Sequence, residues 1–396
     1  MRLPVYADYN ATTPLDERVL EAMLPYLRGE FGNPSSKLHA FGQRAGEAVE
    51  RARAQVAAFI GAEPGEIVFT SGATESDNLA LAGLVRRHVR RKRSGGHLIT
   101  AATEHPAILE SARLLAEHHG LDLTELPVGS DGRVDPDEVA AALRHDTICV
   151  SVMAVNNETG VINPVSEISA VCRERSVLFH CDAVQAAAKL DWTVDSFGLD
   201  LASVTAHKMY GPKGVGALYL RARGPRARLS PMSAGGGQER GLRPGTLNVA
   251  GIVGFGAAAE IARLEGAAER ARMAQLGERL EQRLLAIDDA RINAPRAHRV
   301  PSTLSVSFAG VEAEALIAEL PDVALSSGSA CASGNGAASH VLSAMAVDER
   351  WIFGTLRITL GRYSDDEQCD FIADRVAAAV ARVRGQAHAV RVAGGR

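Results

Sequence analysis

Apolar residues recur along this chain at two spacings that take turns. In "RAGEAVERARAQVAAFI" (44–60), Ala48, Val49, Ala52, Val56, Phe59 and Ile60 fall at helical spacing. "EIVFTSG" then reads as a short strand and turn, and "ATESDNLALAGLVRRHV" as a helix. "HLITAATEH" (97–105) reads as strand and "PAILESARLLAEHH" as helix, with Pro106 in its first turn. "TICVSVMAV" and "VLFHCDAV" are strands on either side of the helix "VSEISAVCRERS". "LASVTAHKMYGPKGVGALYL" holds two strands about a turn. Such alternation predicts an α/β fold, a mostly parallel sheet covered on both faces.

From about Asn248 the pattern changes. A long Ala-, Glu- and Arg-rich helical stretch runs to about Asp288, followed by strands such as "STLSVSF" and "TLRITLG" between helices. The amphipathic "DDEQCDFIADRVAAAVARVRG" closes this part, which reads as a smaller α+β domain. The final "QAHAVRVAGGR" is expected to fray.

Composition narrows the function. A length of 396 residues suits two domains, and 46% hydrophobic with 23% charged residues suits a soluble globular enzyme. A net charge of −4 argues against a nucleic-acid binder. The start "MRLPVYADYNATT" lacks the apolar core of a signal peptide, and the apolar run "VAGIVGFGAAA" is too short to span a bilayer. Five cysteines (149, 172, 181, 331 and 369) with no C-x-x-C pair make a disulfide framework or a four-thiolate metal site a poor reading. A cytoplasmic protein with reduced thiols is expected. Of 43 basic residues only Lys37, Lys92, Lys189, Lys208 and Lys213 are lysine, so an amine's distinct chemistry is in question at each.

In an open parallel sheet, ligands bind beyond the C-terminal ends of the strands. There "TSGATES" (70–76) puts Gly72, Ala73 and Thr74 between strand and helix, as an N-cap or as a phosphate cup. It lacks the spacing of nucleotide-binding loops. His105, Asn157, Asp182 with Gln185, and Lys208 each follow a strand, and each alone reads as a turn or cap residue. Lys213 reads as a solvated turn lysine. Together the set matches what pyridoxal phosphate requires: a Schiff-base lysine, a phosphate cup, and an acid for the pyridine nitrogen. Lys208, the Thr74 turn with Thr205 and His207, and Asp182 would fill those roles. His105 would stack on the ring, and Gln185 or Asn157 would reach its phenolic oxygen. Arg357 shares a strand face with Thr355 and Thr359, and either meets solvent or forks a carboxylate. Cys331 sits in "SSGSACASGNG", a segment of small residues and glycines that is expected to be poorly ordered.

"YADYNATTP", "FGNPSS", "EIVFTSGATESDNLA", "TEHPA", "VNNETG", "HCDAVQ", "AHKMYGPKGVGALY", "GGGQERGLRPGTLN", "SSGSACAS" and "LRITLGR" occur in that order. The chain thereby resembles the NifS/IscS-type cysteine desulfurases, pyridoxal-phosphate enzymes of the class V aminotransferase group, from Tyr6 to about Arg362. The resemblance implies the aspartate-aminotransferase-like fold (fold type I), with a large domain over 15–250. Residues 1–14 and 251–396 would form the small domain that carries Cys331. It implies a homodimer that converts L-cysteine to L-alanine and leaves the sulfur as an enzyme persulfide. Carried over by position, Lys208 would be the Schiff-base lysine, and Ala73, Thr74, Thr205 and His207 would hold the phosphate. Thr246 would reach the phosphate from the other subunit. Asp182, Gln185 and Asn157 would contact the ring, and His105 would stack on it and move protons. Arg357, with Asn157, would bind the substrate, and Cys331 would accept the sulfur for delivery to an iron–sulfur scaffold or a thiolation protein. Thr205 stands where serine is common, and Gln238 where histidine is frequent. A selenocysteine lyase, a transaminase or another carbon–sulfur lyase shares the fold; the thiol Cys331 separates the reading from a transaminase.

Overall fold

In the computed structural model, residues 3–92, 95–223, 227–328 and 338–394 are described. β1 (Val5–Tyr6) precedes α1 (Glu17–Arg28) and α2 (Ala40–Ile60). Strand and helix then alternate through β2 (Ile67–Thr70), α3 (Ala73–Lys92), β3 (His97–Ala101), α4 (Pro106–His119) and β4 (Asp122–Leu126). The alternation continues with α5 (Pro136–Ala142), β5 (Thr147–Ser151), α6 (Val165–Glu174) and β6 (Leu178–Asp182). β7 (Leu201–Thr205) and β8 (Gly216–Leu220) flank the turn of Lys208, and α7 (Val249–Leu285) follows. The remainder is β9 (Ala290–Ile292), β10 (Thr303–Phe308), α8 (Ala313–Ala318), β11 (Val323–Ala324) and β12 (Ser326–Ser327). It ends with α9 (His340–Ala344), α10 (Glu349–Ile352), β13 (Thr355–Thr359) and α11 (Asp366–Gly394). Helix α11 thus continues into the stretch expected to fray.

Seven strands form the main sheet in the order β2-β8-β7-β6-β5-β3-β4. Only β8 runs against its neighbours, so the C-terminal ends of β2, β7, β6, β5 and β3 share one edge. β7 is buried along its whole length, as a strand covered on both faces must be. A second, antiparallel sheet has the order β12-β13-β10-β9, and β1 pairs in parallel with β11.

Two cores meet on one helix. The first half of α7 gives Ile252, Phe255 and Ala259 to the core of the large sheet. Its second half gives Met273, Leu276 and Leu280 to the core that also holds Val5, Leu356 and Ile372. The helix crosses α2 so closely that a Cβ on Gly256 would lie 2.7 Å from the Ala52 Cα. Side-chain-free backbone is what permits that contact.

One sequence expectation needs shortening. The strand read over 97–105 ends at Ala101, where Glu104 N–H turns back to the Ala101 carbonyl. Pro106 then opens α4, and the residue before a proline is driven to extended backbone. His105 therefore sits at the helix start (φ −63°, ψ 145°), its Nδ1 accepting from Ala107 N–H.

Candidate active site

A cavity of 730 Å³ opens at the shared strand edge, between the main sheet and the second sheet. Ala73, Thr74, His105, Asn157, Asp182, Gln185, Thr205, His207, Lys208 and Arg357 all line it. Ten of the twelve positions singled out from the sequence thus face one space. Thr246 does not: it is exposed, on the loop before α7. Cys331 lies outside the described residues.

The end of the cavity beside α3 could take an anion. The chain passes from β2 into α3 within two residues, leaving the first N–H groups of the helix at the cavity wall. β8 crosses behind this turn at Gly216, where a Cβ would be 2.8 Å from the Gly72 Cα. His207 adds a ring whose Nδ1 is 3.1 Å from Thr12 Oγ1, and burial pushes its pKa down to about 4. Lys213, read as a solvated turn lysine, is exposed but stands on the rim of this same cavity.

The wall also holds buried carboxyl groups, Asp77 and Asp182. Asp182 ends β6, and its Oδ1 accepts from Val184 N–H at 2.9 Å. Burial raises its carboxyl despite that bond and the nearby His105 and Lys208 charges. Burial also raises Asp77 and Glu104 well above the carboxylate range. His105 is lowered, chiefly by burial, against which Asp182 pulls, with Lys208 and His340 adding to the lowering.

Arg357 lies on β13 between Ser305 of β10 and Ser326 of β12, and is 3% exposed, so the solvated alternative falls. Its Nη2 donates to Asp8 Oδ1 at 2.8 Å and its Nη1 to the Asn157 carbonyl at 3.3 Å. Its Nε is buried without a partner. Asp8 also accepts from Ser326 Oγ at 2.7 Å. Lys208 donates from Nζ to the carbonyls of Asn10 and Ala11, at 2.5 and 2.7 Å. Asp8, Asn10 and Ala11 form part of the wall, yet sequence reasoning missed them. The polar run "DYNAT" after a short apolar start was the available signal.

The described stems on either side of Cys331 both reach this neighbourhood. On one side Ser326 is a wall residue and Gly328 N–H donates to the Thr355 carbonyl at 3.0 Å. On the other, Ser339 Oγ donates to the buried Glu158 at 2.5 Å, and His340 Nε2 lies 3.0 Å from the Glu104 carbonyl. Gln238, in the loop whose role the sequence left open, accepts from Gly245 N–H at 3.0 Å and so props the turn next to Thr246.

A lysine amine, an anion cup at a helix start and a buried acid on one sheet edge define a pyridoxal-phosphate enzyme of the aspartate-aminotransferase-like fold. The family model described as "Aminotransferase class-V" matches residues 5–372. The chain is 55% identical over 385 residues to "Cysteine desulfurase IscS" of Anaeromyxobacter sp. (strain Fw109-5), covering 97% of this chain and 94% of that one. Among solved structures, a "NifS-like protein" superposes with a TM-score of 0.88 at 38% identity, over 96% of this chain and 100% of the other. "SspA in complex with cysteine" gives 0.80 at 36% identity, over 91% and 100%. The chain belongs to the class V aminotransferase family, and within it to the NifS/IscS-type cysteine desulfurases.

Proposed function

We propose that the chain binds pyridoxal 5′-phosphate in the 730 Å³ cavity through Lys208 and moves the sulfur of L-cysteine onto Cys331 as a persulfide. The observation that carries this reading is the convergence of an amine, a donor-rich helix start, a buried carboxyl and a buried guanidinium on one space. The donor set fits the cofactor. The N–H groups of Ala73 and Thr74, the hydroxyls of Thr74 and Thr205, and His207 suit a phosphate. Asp182 suits a protonated pyridine nitrogen, since a cation there offsets the effect of burial on its carboxyl. The unpartnered Arg357 Nε suits the substrate carboxylate, beside Asn157.

Bound there, the cofactor supplies an electron sink for the pair left when the substrate Cα loses its proton. The Lys208 amine holds the cofactor at rest and, once the substrate amine displaces it, takes that proton. His105, which lines the same cavity and whose pKa is lowered by burial, would stack on the ring and move protons there. The Cys331 thiolate then attacks the substrate Sγ: an S–S bond forms, the Cβ–Sγ bond breaks, and its electron pair stays with the three-carbon product. That product takes up one proton at Cβ, regains one at Cα, and leaves as L-alanine. A free thiol has a pKa of about 8.5, so positive charge or His105 must favour its thiolate.

The active unit is read as a homodimer in the cytoplasm. Leu38 is 99% exposed, beside exposed Phe31 and Phe41, an apolar patch of the kind that marks an interface. Leu247, next to Thr246, lines the same cleft as Pro34 and Lys37, so a partner covering this patch would meet Thr246. Among the described residues no helix is long and apolar enough to cross a membrane. The persulfide would pass to an acceptor protein, an iron–sulfur scaffold or a thiolation protein.

The test is a mass spectrum of the Cys331 peptide after incubation with L-cysteine in the absence of reductant. A peptide heavier by one sulfur atom, with alanine in solution, is the expected result. Alanine without the modified peptide would overturn the assignment of Cys331.

A further inference from the structure

Beside the cavity, Lys189 has no part in the reading above. It lies half-buried one turn of chain beyond Gln185 and lines a separate 320 Å³ space with Lys208, Tyr9 and Glu269. Its Nζ donates to Asn10 Oδ1 at 2.5 Å and to Gln185 Oε1. The rest of the network leaves no freedom in which amide end is which. Gln185 Nε2 is 2.9 Å from the Asn10 backbone carbonyl, which can only accept, so that end is the NH2 and the end facing Lys189 is the oxygen. Asn10 Nδ2 donates to the Asn157 carbonyl at 3.0 Å, so the Asn10 end facing Lys189 is likewise oxygen. The carbonyl that takes the Gln185 N–H also takes the Lys208 amine. Gln185 is buried, lines the active-site cavity, and spends one of its two N–H bonds on Asn10.

From this geometry we infer that Lys189 is a positioning residue for the desulfurase reaction: it ties down the Gln185 oxygen, so that the amide meets the cofactor's phenolic oxygen with N–H. The inference rests on the proposed place of the cofactor ring beside Gln185. Without Lys189, the buried amide oxygen loses its donor, and the amide gains reason to rotate away. An N–H on the phenolic oxygen favours its anionic form and so lowers the proton affinity of the neighbouring imine nitrogen. The charged groups around Lys189 are Lys208, Arg357 and Asp8, with Glu269 and Arg270 lining the same 320 Å³ space, and all remain in place in the variants below.

The test uses four cofactor-loaded proteins: wild type, Lys189→Met, Gln185→Ala and the double variant. In each, the midpoint of the pH titration of the lysine-bound cofactor's absorbance is read, with the cofactor dissociation constant as a second readout. Each single change should raise the midpoint by about one pH unit, as expected for loss of a hydrogen bond to the anionic form. The double variant should stand no higher than Gln185→Ala alone, because Lys189 acts through Gln185. Lys189→Arg, which keeps a donor, should return the midpoint to within about 0.3 unit of wild type. An unchanged midpoint in Lys189→Met, or a shift that adds fully to that of Gln185→Ala, overturns the inference. An unchanged midpoint in Gln185→Ala instead overturns the placement of the ring on which it rests. If Lys189→Met does not fold, Lys189→Leu, which also lacks a donor, enters the same four-way comparison under the same criteria.

Discussion

Arg357 illustrates how much a single side chain depends on distant ones. Alone in a buried strand its charge would be costly; Asp8 offsets that charge at 2.8 Å, and the free Nε keeps capacity for a second carboxylate. Arg357→Ala should raise the Michaelis constant for L-cysteine about 10- to 100-fold, the loss of a charge-assisted hydrogen bond. Steady-state kinetics at fixed pH checks this, and an unchanged constant would remove Arg357 from the substrate site. The strand-end polar residues that line the cavity were legible in the sequence as a set, since each alone reads as a turn or cap residue; Asp8 and Asn10, which line it from the start of the chain, were not. Asp8, Asn10 and Lys189 act through contacts made across 349, 198 and 179 positions of chain, and no local pattern records such contacts.

Among the elements, β6 carries a titration as well as a wall residue. His180 projects from its middle between Ser151 of β5 (Nδ1 to Oγ, 2.9 Å) and Ser203 of β7 (Nε2 to Oγ, 3.1 Å). Burial pushes its pKa down to about 3. Between pH 6.5 and 3 the unfolded chain therefore binds a proton here that the folded chain refuses, so stability falls on acidification through that window, by up to about 1.4 kcal/mol per pH unit. Thermal melting at pH 7 and pH 5 should show the drop, and His180→Asn should start less stable but lose less between the two. A slope that His180→Asn leaves unchanged would mean other groups carry it. Long amphipathic helices and core strands were read from the sequence because their periods repeat often enough to be recognised. β1, β11 and β12 were not: two residues hold no period, and β1 finds β11 only through tertiary pairing. The overextended reading of 97–105 failed for a local reason, the turn at Glu104 and the pull of Pro106.

At the scale of the whole molecule, the exposed patch around Leu38 and the position of Thr246 outside the cavity of its own chain bear on the same question. Leu38→Asp should convert the protein to monomer in sedimentation or size-exclusion runs and weaken cofactor retention with it. A monomeric variant that holds the cofactor as well as wild type would separate Thr246 from the phosphate. The sequence pattern changes near Asn248, where α7 begins, but α7 runs on to give residues to the core of the large sheet and to the core that holds Val5 and Leu356, a continuity that composition does not reveal.

The ion pair of Asp8 with Arg357 also bears on biosynthesis. Ala7, Asp8 and Asn10 leave the ribosome about 350 positions before their partners on β13 are made. The large sheet is complete at Leu220 and can assemble during that interval, while β1 and the wall beside Lys208 wait. Part of the site translated first therefore waits for its last-made partners, and a nascent chain halted before β13 would carry Lys208 without the Asp8–Arg357 pair of the cavity wall.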